Sequence, residues 1–339
     1  MMAMAAAGMP FSALVFGQGK CKEGYKTTDC PLAKGAATAP IKPVFAPTGW
    51  KTVALDHVTF GVKDYRKEAG FYAALMGWRL RSDDGKRAVM DVGDWGTVVL
   101  QQASPGAMPS AVVSSVGFVI APWNAKDVGQ QLHKRGVRAV ADNDGRGFES
   151  YRIQDPGGFE VQISNGNGMA KNRRTTISDQ ETLPAPFAPT GWKTVWLDHV
   201  SFRVTNYKES ASFYCNLLGW TSTYDEGSQN ECMMGDVGDI IIRGGNPFEA
   251  SFTNLVRARH AVIDHISFGI EPWDTDRVKA ELEKRGLMAE VDTAKSGEIH
   301  TAAYKSYHTE TPNGYNLQIS PVTRQKRLTL SDAVRPQDK

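Results

Sequence analysis

The sequence predicts an α+β protein of four strand–helix–strands units, paired two by two into two domains. Three observations carry that expectation. The stretch Leu55–Trp78, LDHVTFGVKDYRKEAGFYAALMGW, returns 142 residues later over Leu197–Trp220 as LDHVSFRVTNYKESASFYCNLLGW, and the lead-in FAPTGWKTV is copied at the same offset from Phe45 and from Phe187. The two halves share a further word, APWNAKDVGQQLHKRG from Ala121 in the first and EPWDTDRVKAELEKRG from Glu271 in the second. The units open on alternating stretches: over Leu55–Val62, His57, Thr59 and Gly61 share one face and Val58, Phe60 and Val62 the other. A repeat half a chain long means a duplicated domain and not a solenoid, and at 339 residues each half is long enough to bury a core.

Taken in order, residues 1–44 read as a leader and linker without periodicity. The first 16 residues are apolar, as in an export signal, but no Lys or Arg precedes Lys20, so the basic start of such a signal is missing. Cys21 and Cys30 bracket a polar loop of the size a disulfide closes in an oxidising compartment. Both a cytoplasmic and an exported protein fit these features. The first domain, 45–165, has its opening strand at Leu55–Val62 and a helix over Arg66–Leu75, capped by Asp64 and ended by Gly77. Strands follow at Arg87–Val92, Thr97–Gln101 and Val113–Ile120; a helix starts at Pro122-Trp123-Asn124, and Tyr151–Gln154 and Phe159–Ser164 flank the turn DPGG.

Residues 166–186 are polar and irregular, an expected linker, and 187–325 repeat the plan. Strands are expected at Leu197–Val204, Glu231–Met234, Asp239–Arg243, Ile263–Ile270 and Tyr315–Ser320, with a helix over Asn206–Leu218. DVGD recurs at Asp91 and Asp236, so the offset slips by three there. Residues 326–339 look like a surface tail. Cys215 and Cys232 have no counterparts in the first half and read as small buried residues, and the recurring Trp50, Trp192, Trp123 and Trp273 as packing residues.

Composition narrows the function classes. Hydrophobic residues at 41% and charged residues at 22% describe an ordinary globular chain. A net charge of +2, from 39 basic and 37 acidic residues, gives no nucleic-acid footprint. No apolar stretch approaches the roughly 20 residues that span a bilayer. A small-molecule substrate is the expected partner, with no nucleic acid or membrane, and a homo-oligomer is compatible with the chain.

The strand openings LDHV and IDHI, the helix endings FY…LMGW and FY…LLGW, and the turns DPGG and TPNG resemble those of the vicinal oxygen chelate superfamily, which includes glyoxalase, bleomycin resistance proteins and extradiol dioxygenases. The resemblance covers roughly residues 45–325 and implies four βαβββ modules paired into two rolled-sheet domains, most like the two-domain extradiol dioxygenases. It implies a divalent metal in the second domain, Fe(II) first, with Zn(II) or Mn(II) the other candidates. His199 and His265 fall on its two histidine positions. The third ligand of the family is a carboxylate four residues after the last turn's Gly; after Gly314 that position holds Gln318, a neutral ligand. The ring-cleaving signature has a His and then a Tyr four residues before Pro. Here His300 fits the first role, His308 stands at the Tyr position before Pro312, and Tyr307 lies beside it.

The residues themselves agree in part. By strand parity, His199, Ser201 and Arg203 share a face, as do His265 and Ser267, and Asn316, Gln318 and Ser320. Parity turns Asp198 and Asp264 the other way. His300, Tyr304, Ser306 and His308 line up if no bulge intervenes, and His308 has the right type for a general acid/base. The equivalent positions in the first half are His57, Ser115 and Gln162, which implies no metal there, although Glu160 shares the face of Gln162. The expected function is a metal-dependent enzyme of the vicinal oxygen chelate type, either extradiol-dioxygenase-like or glyoxalase/lyase-like. It would act on a small substrate with neighbouring oxygens. The other reading is a non-catalytic protein that sequesters a small, apolar or aromatic ligand.

Overall fold

The computed structural model describes residues 43–104, 112–175, 183–225, 229–244, 261–293 and 305–321. The expected leader, the Cys21–Cys30 loop, His300 and the tail from 326 lie outside them. The first half runs β1 (Lys51–Val62), α1 (Tyr65–Met76), β2 (Arg79–Asp83), β3 (Arg87–Val92), β4 (Gly96–Gln102), β5 (Val112–Ala121), α2 (Ala125–Lys134), β6 (Ala139–Ala141), β7 (Ser150–Gln154), β8 (Glu160–Ser164) and α3 (Met169–Thr175). The second runs β9 (Lys193–Arg203), α4 (Tyr207–Leu218), β10 (Thr221–Asp225), β11 (Gln229–Met233), β12 (Asp239–Arg243), β13 (Val262–Glu271), α5 (Thr275–Lys284), β14 (Glu290–Thr293), β15 (Lys305–Glu310) and β16 (Asn316–Ser320). Each half is one mixed eight-stranded sheet, ordered β2-β3-β4-β1-β5-β8-β7-β6 and β10-β11-β12-β9-β13-β16-β15-β14. The α+β class and the paired modules are those the repeat predicts. No helix among the described residues is long and apolar enough to cross a membrane.

The helices begin and end where their caps dictate. Asp64, Asn124, Asn206 and Asp274 each accept from the backbone N–H three residues on. Gly77 and Gly219 close α1 and α4 in the left-handed region, both at φ 69°. A side chain is excluded there twice over, because a Cβ would meet Trp192 O at 2.4 Å or Trp50 O at 2.0 Å.

Those close approaches reveal how the halves fit. The copied lead-in of each half docks on the helix of the other. Thr48 Oγ1 donates to Leu217 O and Thr190 Oγ1 to Leu75 O, both at 2.7 Å, so each threonine satisfies a carbonyl at the partner helix's C-terminus. Phe45 meets Phe213 edge-on and Phe187 meets Phe71. Trp78 Nε1 donates to Thr194 Oγ1 at 2.9 Å, and Trp220 Nε1 to Thr52 Oγ1 at 2.8 Å. Phe60 packs on Tyr315, and Phe202 on Phe159. The back faces of the two sheets and their helices thus form one continuous core, which leaves each front face, the one carrying His57 or His199, for other work.

Two expectations change. DVGD is not a register slip: Met90 pairs with Val98 and Cys232 with Ile240, so the offset of 142 holds through the strands. Asp91 lies in β3 and Asp236 in the turn before β12, a chance match of turn-forming residues. Part of the expected linker is also structured. Helix α3 packs on β1 and β4; Ala170 N donates to Asp56 Oδ1, and the buried Arg173 donates to Asp56 O, Leu55 O and Thr97 Oγ1, all at 2.6 Å.

Because the core is shared, the halves are expected to unfold together. Thr52→Val and Thr194→Val each strand a buried indole N–H, at about 1–3 kcal/mol. Urea unfolding followed by tryptophan fluorescence and circular dichroism should show one transition, lowered by either substitution; two separable transitions would contradict a single core.

Candidate functional site

The second sheet's front face is built around β9 and β13, its central antiparallel pair. Each strand carries one residue too many for its partner. Leu197 and His199 pair with Phe268 and Ser267, which leaves Asp198 as the extra residue; Ile263 and His265 pair with Phe202 and Ser201, which leaves Asp264. A β-bulge puts the extra residue beside its neighbour on the same face. The parity expectation for these aspartates therefore fails, and they turn with the histidines. Asp198 Oδ2 lies 3.4 Å from His199 Nδ1, Asp264 Oδ1 lies 3.4 Å from His265 Nδ1, and Ser267 Oγ donates to Asp198 Oδ2 at 2.9 Å.

With Nδ1 held on the outer side, Nε2 of each ring points inward, and the two Nε2 atoms stand 3.1 Å apart. Both rings are buried, at 6% and 8% exposure. Two imidazole nitrogens bound at about 2.1 Å to one ion stand about 3.0 Å apart at an octahedral right angle and about 3.4 Å apart at a tetrahedral one. The observed spacing falls between these values. When both Nδ1 protons face the carboxylates, two lone pairs confront each other, and a cation relieves that repulsion. Arg243 offers the other balance: its Nη2 lies 3.3 Å from His265 Nδ1, so an Nε2–H on His265 donated to His199 satisfies the pair without an ion. The pair therefore fits two ligand positions of a divalent ion, with the Arg243-linked tautomer balancing the rings when none is bound.

The other expected residues divide. Gln318 Nε2 donates to Asp292 Oδ2 at 3.1 Å and to Ser306 Oγ at 2.8 Å. His308 lies on the same face, its ring centroid 5.2 Å from that of His265, with Nδ1 2.8 Å from Asn316 Oδ1 and Nε2 3.7 Å from Asp292 Oδ2. Tyr307 is turned away. Alternation along β15 sends it to the back, 1% exposed and stacked on Trp273, so it takes no part in the site. Among the described residues no three His, Cys, Asp or Glu side chains already stand in coordinating geometry.

The site also holds charges to which sequence reasoning gave no role: it put Arg203 on the face of His199 and named Arg243 only as a strand end. Arg203 and Arg243 both reach Asp264 Oδ2 at 3.1 Å, and Arg243 reaches Ser201 Oγ at 2.5 Å. Comparing the halves would have flagged them, because β12 pairs with β9 as β4 pairs with β1 and the counterparts are Gly61 and Gln101. Burial pushes the Asp264 carboxyl up, but Arg243, His265 and Arg203 outweigh it and hold the group far below the carboxylate range. Burial pushes His265 down to about 4, with Arg243 and His199 adding to the effect against Asp264. Burial also pushes His308 down, but Asp292 and Asn316 overcome it and leave the imidazole above its ordinary value.

The first half has the same bulge at Asp56, and His57 Nδ1 lies 2.9 Å from Asp56 Oδ2. There Ser115 replaces the second histidine, and Gln162 Nε2 donates to Asp142 and Ser150. The His57 ring lies over Gly117, where a Cβ would stand 2.6 Å from its Cε1. Glu160 pairs with Arg152 at 2.7 Å.

In metal-free protein the His265 imidazole is expected to titrate near 4. Its folded value is depressed, so the stability tied to its neutral form is complete above about 6.5 and is lost as pH falls toward 4. Nitrogen-15 NMR of the imidazoles reads the midpoint directly. Arg243→Ala should raise it, and a midpoint unmoved by that change would refute the electrostatic account.

This front face, two paired modules and an inward histidine pair, can be set beside known proteins. The model of the Glyoxalase/Bleomycin resistance protein/Dioxygenase superfamily matches residues 54–163 and 196–319. No curated protein matches the chain. The fold is similar to that of the 2,3-dioxygenase LapB from Pseudomonas sp. KL28, at TM-score 0.59 and 14% identity over 80% of this chain and 92% of that one. It is also similar to the Mn(II)-bound glyoxalase from Novosphingobium aromaticivorans, at 0.58 and 14% over 80% and 82%, and to a variant of homoprotocatechuate 2,3-dioxygenase from B. fuscum, at 0.55 and 16% over 84% and 74%. At these identities the likeness is one of fold. With both module pairs matched over more than half its length, the chain belongs to the Glyoxalase/Bleomycin resistance protein/Dioxygenase superfamily.

Proposed function

We propose that this protein is a metal-dependent enzyme of the vicinal oxygen chelate type whose working site is the front face of the second sheet. The observation that carries the proposal is the 3.1 Å approach of the His199 and His265 Nε2 atoms. Such rings are ready-made ligands, and a carboxylate behind each is the support that metal-bound histidines ordinarily have. Gln318, His308 and Asp292 form a hydrogen-bonded and electrostatic group beside the pair, from which a third ligand can come. The similar folds include a Mn(II)-bound glyoxalase and a 2,3-dioxygenase, which supports either metal-assisted rearrangement or oxygenative ring cleavage as the class.

A bound divalent ion supplies Lewis acidity toward two neighbouring oxygens of a small substrate. The chain's own residues do the rest. Asp198 and Asp264 fix the rings and offset the ion's charge, and Ser267 holds Asp198. Arg203 and Arg243 keep Asp264 ionised through the working pH range. In the first half the bulge aspartate is bonded to helix α3 and the second histidine is Ser115, so that half serves as scaffold.

Elemental analysis of protein purified without oxygen tests the proposal. Close to one equivalent of Fe, Mn or Zn is expected, falling to background in His199→Ala and His265→Ala while circular dichroism stays unchanged. A folded, metal-free wild-type protein that takes up no added ion, yet binds an aromatic ligand, would instead make it a sequestration protein.

A further inference from the structure

Helix α4 and strand β11 bring two cysteines together behind the second sheet. The sequence reads Cys215 and Cys232 as small buried residues, each on its own; in the fold their sulfurs stand 3.8 Å apart as free thiols. We propose that Cys215 and Cys232 are a redox-active dithiol, a site that hydroperoxides oxidise reversibly to a disulfide. It lies on the opposite face of the sheet from the histidine pair and needs no metal there.

The first half shows the same corner without thiols. The register of its edge strands places Leu80, Ala88 and Met90 where the second half has Ser222, Asn230 and Cys232. Ala73 stands on α1 where Cys215 stands on α4. All four residues are apolar in one half, and all four are polar or thiol in the other. Filling space does not account for the exchange, because an amide in a core costs free energy wherever its atoms lack bonds. Asn230 is fully buried. Its Oδ1 accepts from Ser222 Oγ and from Cys232 Sγ, both at 3.0 Å, and its Nδ2 has no partner among the described residues. That cost is placed where it holds a thiol.

The two sulfurs are unequal. Cys232 is fully buried, whereas Cys215 is half-buried, and Ser222 is exposed where Leu80 is covered. The Cys232 S–H holds the Cys215 thiol below its usual range, with the Ser222 N–H helping, against the opposing effect of burial. The same bond, together with burial, pushes Cys232 up. Cys215 is therefore the nucleophile and Cys232 the thiol that resolves it.

The reaction balances in two steps. The Cys215 thiolate attacks one oxygen of the hydroperoxide; an S–O bond forms, the O–O bond breaks, and the other oxygen leaves and takes up the proton that Cys215 gave to solvent. The Cys232 sulfur then attacks the sulfur of the resulting sulfenic acid; the S–S bond forms, the S–O bond breaks, and hydroxide leaves with the Cys232 proton as water. The dithiol loses two electrons and the hydroperoxide gains them. The sulfurs must close from 3.8 Å to about 2.05 Å, a movement shared by two side chains. The bond then ties α4 to β11.

Trypsin separates this pair from Cys21 and Cys30. No Lys or Arg lies between Lys208 and Arg243, so one peptide, Glu209–Arg243, carries both cysteines. The full chain is reduced, stripped of metal with a chelator, treated with hydrogen peroxide, alkylated and digested for mass spectrometry. The wild-type peptide should carry no alkyl group and be two hydrogen atoms lighter, and dithiothreitol before alkylation should restore both alkylation sites. In Cys232→Ser, dimedone should trap Cys215 as its sulfenic acid; in Cys215→Ser, Cys232 should stay alkylatable. Both cysteines alkylated after peroxide, or Cys215 carried to the sulfinic acid with Cys232 still free, overturns the proposal. So does closure as fast in urea as in the folded chain, because the fold would then contribute nothing. The wild-type peptide decides the matter even where a variant fails to fold.

Discussion

β-Bulges at Asp198 and Asp264 place an aspartate beside a histidine on each of two neighbouring strands, and the chemistry of the second half follows from that geometry. Without the extra residue, alternation would bury each carboxylate in the shared apolar core, where an unpaired charge is untenable. With it, the carboxylate lies behind Nδ1, each ring is held from outside, and the two Nε2 atoms meet at 3.1 Å. The central strand pair thus turns a local pairing irregularity into a directed pair of nitrogen lone pairs.

The duplication shows how one device serves two ends. Asp56 sits in the same bulge, but its carboxylate accepts from Ala170 N, and Arg173 reaches over the same stretch of β1. Burial pushes that guanidinium down to about 10 against the pull of Asp56 and Asp91, so it stays charged. Each half keeps an aspartate–histidine pair, but in the second half the bulge carboxylates are met by Ser267 and by Arg203 and Arg243 instead of a helix N–H. The apolar scaffold is nearly identical on both sides, from the Trp78–Thr194 and Trp220–Thr52 bonds to the paired phenylalanines. The divergence that changes charge lies on the front faces, where Gly61, Gln101 and Ser115 stand opposite Arg203, Arg243 and His265.

Much of this was legible in the sequence, for stateable reasons. The central strands and the long helices carry a hydrophobic period and caps such as Asp64 and Asn206, so their existence and faces could be read off directly. The short edge strands β2, β6, β10 and β14 were not, because RLRSD, AVA, TSTYD and EVDT are too short or too polar to show alternation. Helix α3 hid behind the Gly-Asn-Gly run that leads into it. Tyr307 was misplaced by proximity to Pro312, although its odd parity with His308 already sent it to the core. The aspartates were misplaced by the opposite error: strict parity was applied across strands whose bulges leave no mark in composition. Comparing the two halves position by position, rather than each with an expected motif, is what exposes Arg243 and gives Arg203 its role.

The central claim is that the second sheet's histidine pair is a metal site. The most direct measurement is anomalous diffraction at the manganese edge from crystals grown with Mn(II). One strong peak is expected beside the Nε2 atoms of His199 and His265 and none beside His57. A featureless map at the pair, or a peak at His57 instead, would contradict it.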